Sequence, residues 1–220
     1  MFTHNQIRTM LRLQDQINTK IDPHWMDHQH PYMRAVIVEA AEAMEHYGWK
    51  WWKNQNRDMA QVQMELVDIW HFILSEILLN TQGDIETAAL LLDSDLSENQ
   101  QVFTLDNCEF HLDTMDFVEK LELMIGLAVL DDFSVSLVNS LMVDCQFSWN
   151  DMFTAYVGKN VLNMFRQDHG YKDGSYIKIW HGREDNECLT DILQSVNTDA
   201  DNIEEILLGK LEEVYATLQQ

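Results

Sequence analysis

Glu39 and Glu42 stand three residues apart, and Glu65 and Asp68 repeat that spacing further along the chain. On an α-helix a separation of three sets two side chains on one face, so each pair makes a two-pronged carboxylate unit wherever its segment is helical. Both pairs interrupt strongly apolar stretches: Ala35-Val36-Ile37-Val38 precedes the first, and Leu66, Val67, Ile69 and Trp70 surround the second. A lone Glu-x-x-Glu on a helix is usually a solvated face, but two such units in consecutive apolar segments point to convergence. Four carboxylates in partly dry surroundings need a cation among them, because an unpaired buried carboxylate is very costly. All-oxygen ligands favour a hard ion, and Mg²⁺ with retained waters suits a site that phosphate oxygens complete.

Cations able to meet a phosphate lie in two islands. Lys50, Lys53 and Arg57 form the first; Lys159, Arg166, Lys172, Lys178 and Arg183 form the second; between Asp58 and Tyr156 the only Lys or Arg is Lys120. Elsewhere acid dominates, with 14 Lys plus Arg against 37 Asp plus Glu and a formal net charge of −23. That charge argues against a nucleic-acid polymer as partner, since such affinity comes mainly from basic side chains displacing counterions. An acidic surface repels polyanions at long range, so the anion should be small and metal-bound. Trp49-Lys50-Trp51-Trp52-Lys53 sits between the two carboxylate units, where rings can stack on a base while ammonium groups reach phosphate. Plain aromatic packing at a helix end accounts for the same residues equally well.

The elements that must position these groups are helical. Apolar spacing predicts helices over Gln6 to Lys20, Tyr32 to Tyr47 (buried nearly all round, and ended by Gly48), and Met59 to Leu79. Shorter patterns follow at Met115 to Leu130 and Phe133 to Val143, then Trp149 to Phe165, Asn186 to Leu193 and Asn202 to Leu218, with Gly170 to Ser175 reading as a loop. Only two prolines and eight glycines punctuate 220 residues. The expectation is an all-α, single-domain helical bundle over residues 1–220 with a four-helix metal-binding core. The acidic middle segment, 83–148, should be helical and pack on that core or cap it. Cys108, Cys145 and Cys188 are odd in number and in no metal or disulfide spacing. No run approaches the roughly 18 apolar residues of a membrane span, and Met1-Phe2-Thr3-His4-Asn5 has no basic region leading into an apolar one. A cytoplasmic protein without membrane contact is expected.

Four segments together resemble the dimeric dUTPases, all-α enzymes in the nucleoside triphosphate pyrophosphatase superfamily that also holds the MazG-type proteins. They are Glu39-Ala40-Ala41-Glu42, Trp49-Lys50-Trp51-Trp52-Lys53, Glu65-Leu66-Val67-Asp68-Ile69-Trp70-His71-Phe72, and the run from Asn160 through Arg166 and Gly170-Tyr171-Lys172-Asp173-Gly174-Ser175 to Tyr176. The paired carboxylates mark the superfamily; the tryptophan-lysine segment and the long C-terminal run are more specific. The resemblance implies that Glu39, Glu42, Glu65 and Asp68 bind two or three Mg²⁺ ions, with Glu42, or its neighbour Glu39, also orienting the attacking water. It assigns Gln14 and Asn18 to the uracil edge, Trp52 to the nucleoside pocket, and His71 and Phe72 to the deoxyribose. Lys53, Asn163, Arg166, Tyr171, Lys172 and Lys178 become phosphate ligands, with Lys159 and Asn160 adjoining them.

The implied reaction is Mg²⁺-dependent hydrolysis of dUTP to dUMP and pyrophosphate, by attack at the β-phosphorus, extending to dUDP, in a homodimer. Two other readings stay open on the residues: a related pyrophosphatase preferring dCTP or a damaged nucleotide, and a non-catalytic nucleotide-binding protein. Side-chain amides present donor or acceptor equally, so Gln14 and Asn18 do not by themselves separate uracil from cytosine.

Overall fold

The computed structural model describes residues 1–196 and 203–219. The helices are α1 (His4–Ile21), α2 (Trp25–His28), α3 (Tyr32–Tyr47), α4 (Met59–Asn80), α5 (Ile85–Ser97), α6 (Phe117–Val129), α7 (Val135–Asp144), α8 (Trp149–Asp168), α9 (Asp185–Ser195) and α10 (Ile203–Ala216). Two antiparallel strand pairs complete the described residues: β1 (Val102–Leu105) with β2 (Cys108–His111), and β3 (Ile179–Trp180) with β4 (Arg183–Glu184). The fold is all-α, as its composition and periodicity predict. The predicted start of the last helix, Asn202, lies outside the described residues.

Local chemistry sets the helix ends. Thr3 and Gln6 form a reciprocal capping box at the start of α1, and Ser148 and Asp151 form another at the start of α8. Asp58 caps α4 by accepting the Gln61 N–H. Gly48 ends α3 in the left-handed region, at φ 81°, where a Cβ is unfavourable. α1, α4 and α8 pack on one another, and α3 lies along α4. Tyr32 stacks near Phe72, while His46 at the other end of α3 approaches Glu65 and accepts the Asp58 N–H, so α3 and α4 run antiparallel.

Three features depart from the sequence expectations. α3 is not buried nearly all round: it buries Tyr32, Met33, Val36, Ala40 and Ala43 at intervals of three and four, and leaves Val38, Ala41 and Glu42 exposed. Part of its apolar content, Val38 and Ala41, lies on the outer face. The middle of the chain is helical as expected but holds α5, packed on α1, over a stretch where no individual helix is delimited. It also holds the β1–β2 hairpin, whose turn residues Asp106 and Asn107 both have positive φ. That turn lacks the glycine that usually marks a two-residue hairpin loop. Cys108, Cys145 and Cys188 are free thiols. Among the described residues no helix is long and apolar enough to cross a membrane.

Candidate active site

One cavity of about 810 Å³ is walled by α1, α3, α4, α8 and the start of α9. From α4 it receives Gln61, Glu65, Asp68, His71 and Phe72, with the capping Asp58 beyond. These recur at three- and four-residue intervals and so form one stripe along the helix. Glu39 and Glu42 face the stripe from α3, and single oxygens of Glu39, Glu42 and Glu65 lie within 4.8 Å of one another. Asp68 turns instead to Lys159 of α8, whose Nζ is 2.7 Å from Asp68 Oδ2 and 2.9 Å from Asn186 Oδ1. Burial, reinforced by the charge of Asp68, pushes the Glu39 carboxyl up to about 7 and that of Glu65 up to about 8. A cation bound beside such carboxyls would favour their ionised form and release their protons to solvent. An all-oxygen donor set at this separation fits a hard divalent ion.

Below the carboxylates on the same stripe is a network of neutral polar groups. Ser75 Oγ donates to the His71 carbonyl at 3.0 Å and accepts from Gln14 Nε2 at 2.9 Å and from Asn18 Nδ2 at 3.1 Å. Gln14 Nε2 also donates to Asn18 Oδ1 at 3.0 Å, and Gln14 Oε1 lies 2.9 Å from the Tyr156 hydroxyl. Gln14 is therefore held on both sides by protein. Asn18 keeps one N–H and an Oδ1 lone pair for a ligand in the cavity. His71 donates its Nδ1–H to the Val67 carbonyl at 2.9 Å and stacks on Tyr156 with centroids 4.1 Å apart. Its buried Nε2 has no partner. Burial drops the His71 pKa to about 4, so the ring is neutral at pH 7 and Nε2 is a free acceptor.

A family model described as dUTPase matches residues 6–171, well over half of the chain and the whole stretch from Gln14 to Tyr171 that builds most of this cavity. The chain belongs to the all-α dUTPase family. It is accordingly an enzyme, a dUTP diphosphatase whose substrate is a nucleotide. No curated protein matches the sequence significantly.

The cavity of this dUTPase brings together Gln14, Asn18, Glu39, Glu42, Glu65, Asp68, His71, Phe72, Asn163, Arg166, Tyr171 and Lys178. Trp52, Lys53 and Lys172 lie outside its walls. Trp52 sits on an exposed turn with its ring edge-on to Trp49 and Trp51, because α3 ends at Gly48 and the turn projects outward. Lys172 is drawn to the Ile21 carbonyl, 2.8 Å away. Arg166 is on the wall but already engaged: Nε and Nη2 bond both oxygens of the fully buried Asp185 at 2.8 Å, and Nη1 bonds Asn163 Oδ1 at 3.0 Å. Lys178 Nζ pairs with Glu184 at 3.1 Å. Asn160 is buried and donates to the Leu13 carbonyl.

Ser75, Tyr156, His46, Asp185 and Asn186 carry no signal in the sequence analysis, and Lys159, expected beside the phosphate ligands, pairs instead with Asp68. Ser75 is visible in hindsight as the next step of the stripe, one turn beyond His71. The pairing of Asp185 with Arg166 has no local signal, since the two residues meet only through the turn and strand pair between α8 and α9.

Proposed function

We propose that the protein hydrolyses dUTP to dUMP and pyrophosphate, and dUDP to dUMP and phosphate, with Mg²⁺ held by Glu39, Glu42, Glu65 and Asp68. The observation that carries this reading is the order along one face of α4: Ser75 with its two amides, then His71 and Phe72, then Asp68 and Glu65. Ten residues of helix separate Ser75 from Glu65, about 15 Å at the α-helical rise. Base, sugar and phosphate chain fit that order in sequence.

Asn18 would meet the uracil edge with its spare N–H and Oδ1, and Gln14 would fix the Asn18 amide through the Gln14 N–H on Asn18 Oδ1. His71, stacked on Tyr156, and Phe72 would wall the ribose pocket. Tyr171 and Lys178 line the phosphate end, while Arg166 contributes there through the part of its guanidinium not bonded to Asp185. Bound among the four carboxylates, two or three Mg²⁺ ions would neutralise phosphate charge and lower the pKa of water. Glu42, the exposed member of the cluster, is free to orient that water and take its proton as oxygen bonds to the β-phosphorus and the bridging P–O bond breaks. No protein nucleophile is required, because positioning and charge neutralisation dominate phosphoryl transfer. We further infer a cytoplasmic homodimer, which the family resemblance supports, and a supporting role in phosphate approach for Lys53 and Lys172, with Trp52 at the pocket mouth.

The test is pyrophosphate release from dUTP, dCTP, dTTP and UTP, each with Mg²⁺ and with excess chelator, for the wild type and for Glu42→Gln. Mg²⁺-dependent turnover of dUTP, poor turnover of UTP and dTTP, and a Glu42→Gln protein that binds but does not turn over support the reading. A preference for dCTP would overturn the uracil assignment, and retained turnover in Glu42→Gln would remove that residue from the mechanism.

A further inference from the structure

A second set of metal-ligating side chains stands at the junction of α1 and α3, apart from the carboxylate cluster. Asp22 caps the C-terminus of α1, and its Oδ1 accepts the His24 N–H at 3.0 Å. That bond fixes the carboxylate and leaves Oδ2 to face two imidazoles, His28 through Nδ1 at 2.5 Å and His30 through Nε2 at 2.8 Å. One ligand atom from each of the three residues lies within 4.8 Å of the others.

The backbone is shaped to make this convergence. Residues two apart do not ordinarily present their side chains to one point on a helix. Here α2 stops at His28, and Gln29 adopts the left-handed conformation, φ 47° and ψ 59°, which folds His30 back over His28. A residue with a Cβ disfavours that region, so the turn is held by its surroundings. Pro23 and Pro31 bracket the segment.

We propose that Asp22, His28 and His30 form a binding site for a borderline transition-metal dication of the Zn²⁺ class, distinct from the carboxylate cluster. Two imidazole nitrogens and one carboxylate oxygen are the donor types such ions prefer, whereas Mg²⁺ prefers oxygen alone. Three protein ligands leave further positions open, and a cavity of about 610 Å³ between this cluster and Gln167, Tyr171 and Lys172 gives water or an anion access to them. Lys172 is tethered to the carbonyl of Ile21, next to Asp22. An ion at this junction ties the turn before α3 to the anchor of the 170–175 loop.

The site does not depend on the dUTPase chemistry, and its test is kept separate from activity. Metal-free full-length protein is titrated with Zn²⁺ by calorimetry in three forms: wild type, His28→Ala/His30→Ala, and Glu39→Gln/Glu65→Gln. We expect one equivalent of Zn²⁺ to persist in the Glu39→Gln/Glu65→Gln protein and to vanish from the His28→Ala/His30→Ala protein, which keeps its Mg²⁺-dependent hydrolysis. Zn²⁺ should raise the melting temperature only where both histidines are present, since a ligand stabilises the state that binds it. X-ray absorption on Zn²⁺-loaded wild type gives a readout that needs no variant, with outer-shell scattering from imidazole expected. A Zn²⁺ stoichiometry unchanged by His28→Ala/His30→Ala, or a Zn²⁺ shell without imidazole, overturns the proposal.

Discussion

Lys159 and Asp68 lie on α8 and α4, with the ammonium Nζ 2.7 Å from Asp68 Oδ2 and only 3% of the lysine side chain exposed. The protein thus carries its own counter-cation beside the carboxylate cluster, and under the proposed function Lys159 would compete with the metal for Asp68. Replacing Lys159 by Met leaves Asp68 unpaired. Removing one partner of a fully buried pair costs about 3–5 kcal/mol, and Asp68 stands at a cavity wall, so about 2 kcal/mol is expected for the metal-free protein. Freed from the lysine, Asp68 should bind Mg²⁺ more tightly. The check is chemical denaturation with chelator and with Mg²⁺: the gap between the two stabilities should widen in Lys159→Met relative to wild type.

The raised carboxyls of Glu39 and Glu65 predict how stability follows pH. Burial places their folded-state values near 7 and 8, above the ordinary 4.5 that holds in the unfolded chain. The folded protein therefore holds protons that the unfolded chain has released, and the stability this gives is complete below about pH 4.5 and lost as pH rises through 7 and 8. His71 works in the opposite sense, but only in acid: its value is depressed to about 4, so its contribution is whole above 6.5 and lost as pH falls through 4. Above pH 6.5 the glutamates act without it. Metal-free protein should lose stability between pH 6.5 and 8.5, a loss that Glu65→Gln diminishes. Mg²⁺ affinity should climb over the same range as the ligands shed their protons. Urea midpoints at fixed pH, with and without Mg²⁺, measure both.

Most of what was legible in the sequence was legible because it is periodic. Glu39/Glu42 and Glu65/Asp68 could be put on neighbouring helices because their neighbours repeat at helical intervals, and the connection between α3 and α4 permits the antiparallel packing that the structure shows. What escaped depends on contacts between distant segments. Asp68 looks like a fourth equal ligand until Lys159 is brought across from α8. Arg166 looks like a free phosphate clamp until Asp185 is folded back beneath it. The hairpin at Val102–His111 escaped for a different reason: Asp106 and Asn107 adopt positive φ without the glycine that usually announces it. α5 is masked because its leucines run consecutively and spread over both faces: Leu90 and Leu91 are exposed, while Ala88, Ala89, Leu92 and Leu96 supply the buried side.

The Ser75 hydroxyl predicts a specificity variant. It is the shared acceptor for the Gln14 and Asn18 amides, and its loss leaves two buried N–H groups to find other partners. Ser75→Ala should cost about 1–2 kcal/mol of stability, typical of groups left without a hydrogen bond. The larger effect should be on choice of base. With the Asn18 amide less firmly oriented, the ratio of kcat/KM for dUTP over dCTP should fall by about tenfold, equivalent to ~1.4 kcal/mol of discrimination. Steady-state kinetics on the two nucleotides separates this from a general loss of activity, which would lower both values and leave the ratio unchanged.

The Arg166–Asp185 pair predicts a variant in which charge is kept but geometry is not. Both Asp185 oxygens are bonded by the guanidinium, and Tyr176 donates a further hydrogen bond to Oδ2 at 2.7 Å. Asp185 is fully buried and its carboxyl is held below the usual range by Arg166, although burial alone would raise it. Lysine supplies one compact charge and cannot span both oxygens. Arg166→Lys should therefore destabilise the protein by about 2–4 kcal/mol, as a buried carboxylate loses its two-point partner. Asp185→Asn in the Arg166→Lys background leaves the lysine ammonium without its carboxylate and should deepen that loss. Denaturant midpoints of the two single variants and the double variant give the coupling directly; a role confined to phosphate binding would lower turnover in Arg166→Lys while leaving its midpoint unmoved.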